Sequence, residues 1–216
     1  KATGKPVIFI LMSGSAVSFP WESQNIDAII SAWYGGESIG LAIADVILGN
    51  YNPSGRLPVT FYANDSDLPD IEDYNMNNRT YKYFKGKPLY PFGYGLSYTT
   101  FAYKWETPPQ KSYKSSGTIT CSFSVTNTGK LSGDEVAQVY VKYPDGKGFP
   151  IKELRYFERK HIVEGQAEQI KVSIPVNQLA KWDEKAKKLI VPTGAYSIYA
   201  GTSSDDEAIV AVFDVK

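Results

Sequence analysis

The chain has 216 residues, which at roughly 150 residues per domain points to two modest domains. With 43% hydrophobic and 21% charged residues, its composition is that of a folded globular protein and not of a disordered one. Its 23 basic and 23 acidic residues cancel, leaving no electrostatic footprint for nucleic acid or an anionic membrane, and neither is expected as a partner.

The longest aliphatic run, Val7 to Met12, is far shorter than the ~20 apolar residues that cross a bilayer, so no membrane span is expected. Cys121 is the only cysteine, which excludes an internal disulfide and a cysteine-based zinc site; its strand-like surroundings suit a buried thiol. The start Lys1-Ala2-Thr3-Gly4 has neither an initiator Met nor a signal peptide and reads as a fragment or a processed product. Localisation stays open on these residues.

Val7-Ile8-Phe9-Ile10-Leu11-Met12, bounded by Pro6 and Ser13-Gly14-Ser15, has the pattern of a strand buried on both faces. Ala28 to Trp33 reads as a second short strand or a helical turn, the strand being favoured because Gly35-Gly36 cuts the run off. From Glu37 to Leu48 the residues Ile39, Ile43, Val46 and Ile47 recur at helical spacing, with Glu37 favouring the start and Gly49-Asn50 the stop. One helix cannot cover both faces of a parallel sheet, so the α/β layer is expected to be partial: an incomplete, mostly parallel sheet. A bare edge or apolar face there invites self-association or pairing with an upstream segment.

Residues 50–100 are rich in turns, at Asn52-Pro53-Ser54-Gly55, Leu68-Pro69-Asp70, Lys85-Gly86-Lys87-Pro88 and Pro91-Phe92-Gly93-Tyr94-Gly95, yet they carry many aromatics from Tyr74 to Tyr98. So much apolar area implies a segment pinned onto protein surface. From about residue 101 the period becomes two. Ile119, Cys121, Phe123 and Val125 alternate with polar residues up to Asn127; Ala137, Val139 and Val141 do so up to Pro144-Asp145-Gly146. Ile170, Val172 and Ile174, then Tyr196, Ile198 and Ala200, then Ile209 to Val215 repeat the pattern, which predicts an all-β antiparallel sandwich.

Several long runs resemble the C-terminal part of glycoside hydrolase family 3 enzymes of the β-xylosidase and β-glucosidase type. They are Gly4-Lys5-Pro6-Val7 through Ser15; Ala32-Trp33-Tyr34-Gly35-Gly36-Glu37; Ala42 through Phe61; Arg79 through Phe84; and Pro88-Leu89-Tyr90-Pro91-Phe92-Gly93-Tyr94-Gly95-Leu96-Ser97-Tyr98. Lys152-Glu153-Leu154-Arg155-Tyr156-Phe157 and Gly194 through Ser204 resemble that family's fibronectin type III-like (immunoglobulin-like) domain; Gly35 stands where the family commonly has Pro. The resemblance implies residues 1–63 as the C-terminal half of an α/β sandwich domain, 64–100 as an extended aromatic-rich linker packed on the domains, and 101–216 as the fibronectin-like sandwich.

Retaining glycoside hydrolysis uses two carboxyl groups about 5 to 5.5 Å apart. The resemblance puts the nucleophilic aspartate on a barrel domain and the acid/base glutamate on an upstream sandwich loop, so no catalytic residue is expected in this chain, and no cofactor or metal. The longer protein would be a secreted or periplasmic retaining β-glycosidase removing terminal β-linked sugars from plant-cell-wall oligosaccharides, a β-xylosidase ahead of a β-glucosidase. The alternative is a non-catalytic carbohydrate-binding or structural scaffold module.

Local carboxylates do not replace the pair: Asp65, Asp67, Asp70, Glu72 and Asp73 read as a solvated surface, and Glu37 as a helix-start charge. His161, the single histidine, excludes a Ser/His/Asp arrangement and sits in a charged strand pattern that implies exposure. Sugar contacts remain a candidate role at seven positions. Ser13, Trp33 and Tyr34 follow the two apolar strands, where open α/β sheets place ligands. Glu22 stands beside the aromatic Trp21, and Tyr74, Met76 and Arg79 lie in a stretch able to stack on and donate to a sugar. At each of these positions packing or turn capping is the competing reading.

Overall fold

The computed structural model describes residues 2–144 and 148–216; most of the turn expected at Pro144-Asp145-Gly146 lies outside the described residues. Near the N-terminus β1 (Ile8–Leu11) and β2 (Ala28–Ser31) pair in parallel, with Ile8 opposite Ala28 and Leu11 opposite Ser31. Between them runs α1 (Pro20–Asn25), a helix of six residues opened by its proline. After β2 comes α2 (Ile39–Leu48), which ends where Gly49 adopts the left-handed cap at φ 78°. Glu37 therefore precedes the helix and is not in its first turn.

The burial expected for the first strand is corrected. Ile8 and Ile10 remain 43% and 36% exposed, and neither α1 nor α2 contains a buried residue. The physical reason is partial cover: among the described residues the parallel sheet has two strands, and β1 packs through Phe9, edge-on to the buried Phe19 at 5.7 Å with Phe61 behind it, while Ile8 and Ile10 on the other face stay open. No helix among the described residues is long and apolar enough to cross a membrane.

A short helix, α3 (Thr80–Tyr83), interrupts the aromatic segment. The chain then forms β3 (Phe101–Thr107), β4 (Ser112–Tyr113), β5 (Thr118–Asn127), β6 (Gly133–Lys142), β7 (Lys152–Ile162) and β8 (Ala167–Pro175). A small hairpin, β9 (Lys181–Asp183) and β10 (Lys188–Ile190), precedes β11 (Gly194–Gly201) and β12 (Ile209–Val215). Two sheets face each other, one in the order β4-β12-β11-β6-β7 and one in the order β3-β5-β8.

The alternation read from the sequence becomes this core. Ile119, Phe123 and Val125 of β5 meet Ala137, Val139 and Val141 of β6, Ile170 and Ile174 of β8 and Ile198 of β11, all of them buried. At about 1.5 to 3 kcal/mol for each large apolar side chain taken from water, this layer dominates the stability of the fold. Cys121 belongs to it, and burial pushes its thiol up to about 11, so it is an inert core residue.

Residues 50–100 are fastened to the sandwich by polar side chains. Arg56 donates to Glu135 at 2.7 Å, the Asn52 amide to Ser132 O at 3.2 Å, and Lys82 to Glu153 at 2.9 Å. Tyr81 stacks on Phe92 with ring centres 4.3 Å apart and lies edge-on to Tyr140. Gln138, buried in β6, donates to Gly93 O at 3.1 Å; a Cβ on Gly93 would sit 2.0 Å from the Gln138 Oε1, and its φ of 82° also suits glycine alone.

Candidate functional site

Parallel strands send their carboxyl ends to one edge, and here Ser13 leaves β1 and Trp33-Tyr34 leave β2 on the same side. The pairing continues past β2, where the Ala32 N–H donates to Leu11 O at 2.9 Å. Ser13 closes a local turn: its hydroxyl donates to Ser15 O at 3.0 Å and accepts the Ser15 N–H at 3.3 Å. The Tyr34 ring lies over Gly14, so closely that a Cβ there would be 2.6 Å from a ring carbon, and the ring is otherwise turned to solvent. Trp33 takes φ 55°, the left-handed region that a bulky side chain avoids, and its ring meets Phe61 edge-on at 6.3 Å. Strain of that kind, on the order of 1 kcal/mol, persists where surrounding packing imposes it.

Glu22 lies in the first turn of α1, half-buried, next to the exposed Trp21. Tyr74, Met76 and Arg79 share a loop whose shape Arg79 sets. Its guanidinium donates to Asn75 O at 3.1 Å, Asp70 O at 3.0 Å and Asp73 O at 2.6 Å. Within that loop Asp73 accepts the Asn75 N–H and side-chain amide, and these two bonds hold its carboxyl below the usual range. Tyr74 projects from this braced loop 93% exposed, with Ile71 and Met76 also open to solvent. The loop is tied back where the Thr80 N–H donates to the Tyr62 hydroxyl at 2.7 Å.

The structure thus brings Ser13 and Tyr34 together around Gly14, and Tyr74, Met76 and Arg79 together on one loop. The two groups are joined through successive residues, Phe61 against Trp33 and Tyr62 against Thr80.

Two buried glutamates were missed by the sequence reading, and both are anchors. Glu135 is 1% exposed; Arg56 and the Tyr103 hydroxyl, at 2.6 Å, hold it. Burial raises its carboxyl above the usual range, which Arg56 and Tyr103 oppose only in part. Glu153 meets Lys82, Arg155 and Lys181, and accepts from the Tyr143 hydroxyl at 2.6 Å. Burial pushes its carboxyl up, but the bonds from Lys181, Tyr143 and Lys82 and the Arg155 charge outweigh it and bring it down to about 2. Three cations around one carboxylate also crowd each other: burial and its cationic neighbours lower Lys181, while at Lys82 the burial that would lower it is outweighed by the bond to Glu153 and its charge, which raise it. The signal was in the sequence. Glu135 occupies the inward phase of Ala137, Val139 and Val141, where a carboxylate must find a buried partner.

These glutamates cannot act as a hydrolytic pair. Glu153 lies opposite Val141, six residues along β6 from Glu135, a separation of roughly 20 Å at about 3.3 Å per residue. A retaining pair needs about 5 Å. His161, exposed and bonded to Asp134 at 2.6 Å, adds no acid/base partner to either.

The chain therefore combines a partial α/β layer, an aromatic segment and a β-sandwich, a combination matched by two family models. Residues 1–98 match the glycosyl hydrolase family 3 C-terminal domain and residues 135–204 match the fibronectin type III-like domain. The chain belongs to glycoside hydrolase family 3 and carries these two domains of its C-terminal part. It is 43% identical to a xylan 1,4-β-xylosidase of Xylanibacter ruminicola over 96% of this chain and 24% of that protein. It is 36% identical to a periplasmic β-glucosidase of Salmonella typhimurium over 94% of this chain and 28% of that protein. The solved β-glucosidase of Kluyveromyces marxianus superposes with a TM-score of 0.89 at 32% identity, over 100% of this chain and 27% of that one. The chain spans about a quarter of the length of these relatives.

Proposed function

We propose that this chain serves a retaining β-glycosidase that removes terminal β-linked sugars, a β-xylosidase ahead of a β-glucosidase, and that the 216 residues alone do not hydrolyse. The observation that carries this reading is the state of the buried carboxylates: Glu135 and Glu153 are each committed to cations and lie far apart along β6. The preference for xylosides rests on the 43% identity with the xylan 1,4-β-xylosidase. Export to the periplasm or the medium, where polymeric sugars are met, goes with this reading.

In it the chain divides at residues 1–63, 64–100 and 101–216, and its share of the machinery is the rim of a sugar cleft. Ser13, Glu22, Trp33 and Tyr34 line one side; Tyr74 and Met76 line the other, on the loop that Arg79 braces. The open apolar face of β1, β2 and α2 is where a further segment of the α/β layer packs, or a second copy when that segment is absent. The sandwich supports this arrangement through Arg56–Glu135 and Lys82–Glu153, which favours a scaffold over a second carbohydrate-binding module as its part in the work.

The test is hydrolysis of aryl β-xylosides and β-glucosides by the purified chain, with calorimetric titration of xylo-oligosaccharides alongside. No turnover is expected. Turnover that Glu135→Gln or Glu153→Gln removes would overturn the proposal.

A further inference from the structure

Glu153 stands where three elements meet: β7, which carries it together with Arg155, α3, which brings Lys82, and β9, which brings Lys181. Its two oxygens take all three cations, Lys82 on Oε1 at 2.9 Å and Lys181 and Arg155 on Oε2. No other carboxylate among the described residues pairs with any of the three, so the cluster is left with two positive charges in excess. Acids close by in sequence are engaged elsewhere. Asp205 pairs with Lys152 and Glu184 with Lys187, while Asp183 accepts the Ala186 N–H at 2.6 Å.

The geometry leaves donors for a further anion. An ammonium carries three N–H donors, and Lys82 and Lys181 each give one to Glu153. Because they bond the two oxygens of one carboxylate, their nitrogens lie within roughly 8 Å of each other, a gap that a single tetrahedral oxyanion spans with one bond to each. Lys82 is the open member, its side chain 39% exposed; Lys181 and Arg155 stand behind it at 20% and 18%, where water screens their charge less. The crowding leaves a mark: burial and the Arg155 and Lys82 charges hold the Lys181 ammonium below its ordinary range even though Glu153 bonds it. An anion arriving on the Lys82 side relieves that repulsion, which a neutral molecule cannot do.

We propose that Lys82, Lys181 and Arg155 form a binding site for a small oxyanion with two negative charges, of the phosphate or sulfate class. Two charges match the excess, and the small size follows from the convergence of the cations on one carboxylate. The proposal is independent of the sugar chemistry proposed above and of the rim that serves it.

The test is an amide NMR titration of the 216-residue chain at neutral pH with sodium sulfate and with sodium phosphate, up to roughly 50 mM, with sodium chloride adjusted to hold the ionic strength constant. Saturable shifts at Tyr83, Arg155 and Trp182 are expected with both dianions and not with chloride alone. Lys82→Gln, at the open side chain, should weaken binding by roughly fivefold or more, and Lys187→Gln, on the hairpin turn, should leave it unchanged. Glu153→Gln removes the competing carboxylate and should bind either dianion more tightly, by roughly threefold or more, with a larger gain of melting temperature in sulfate than the native chain shows. A network that only joins the three elements would show neither effect, and Lys82→Gln decides the matter if Glu153→Gln does not fold. Absence of saturation with both dianions, equal shifts with chloride, or unchanged affinity in Lys82→Gln would overturn the proposal.

Discussion

The β1–β2–α2 layer and the β-sandwich both begin from strongly apolar strands, but only the sandwich closes a core around them. In β5, β6 and β11 the inward residues are fully buried between two sheets, while in β1 every side chain keeps part of its surface in water. The difference lies in layers and not in sequence apolarity: a strand's hydrophobic pattern becomes stability only when a second layer meets it. Among the described residues the sandwich has a complete second layer, whereas the parallel pair is covered only on the Phe9 side of β1.

The largest expected effect that would sharpen this contrast is in the sandwich core. Phe123 is fully buried between Tyr103 and Trp105, and Phe123→Ala should cost about 3 to 5 kcal/mol, a fall of roughly 10 °C in melting temperature. Next comes the buried charge that joins the two regions. Glu153→Gln leaves Lys82, Arg155 and Lys181 around a neutral group and should cost about 3 kcal/mol in a thermal melt at neutral pH.

The same residue sets a pH dependence. Its carboxyl lies at about 2 in the fold against an ordinary 4.5, so its contribution of about 3 kcal/mol is complete above pH 4.5 and fades as the pH falls towards 2. Glu135, which burial raises, works in the opposite direction, since its protonation relieves a cost of folding. Melting temperature should drop between these pH values in the native chain, and Glu153→Gln should flatten that drop. A drop of equal size in the variant would remove Glu153 from the account.

Smaller effects belong to the other region. Ile10→Ala in β1 should change stability by less than about 1 kcal/mol, because the side chain already meets water; a loss matching Phe123→Ala would break the comparison. Smallest is Arg79→Ala, which removes three bonds to loop carbonyls: the melting temperature should stay nearly constant while amides 71–78 exchange faster.

Much of the fold could be read from the sequence because it rests on local pattern. Alternation in Ile119 to Val125 and Ile170 to Ile174 gave β5 and β8, and Gly49 gave the end of α2. The helices α1 and α3 escaped because they are one or two turns long and owe their form to neighbours and not to periodicity. The burial of the first strand was overestimated because an apolar run tells what a strand needs and not whether its cover is present. At the candidate site the residue types were visible, but the use of Arg79 was not. A guanidinium that braces its own loop and one that waits for a sugar have the same sequence, and only the positions of the Asp70, Asn75 and Asp73 carbonyls separate them.

Native-state hydrogen exchange of the 216-residue chain tests the central contrast most directly. Amides in β5, β6 and β11 should exchange only through global unfolding, and those in β1, β2 and α2 orders of magnitude faster. Equal protection in the two regions would show that the parallel layer is complete within this chain and would contradict the account.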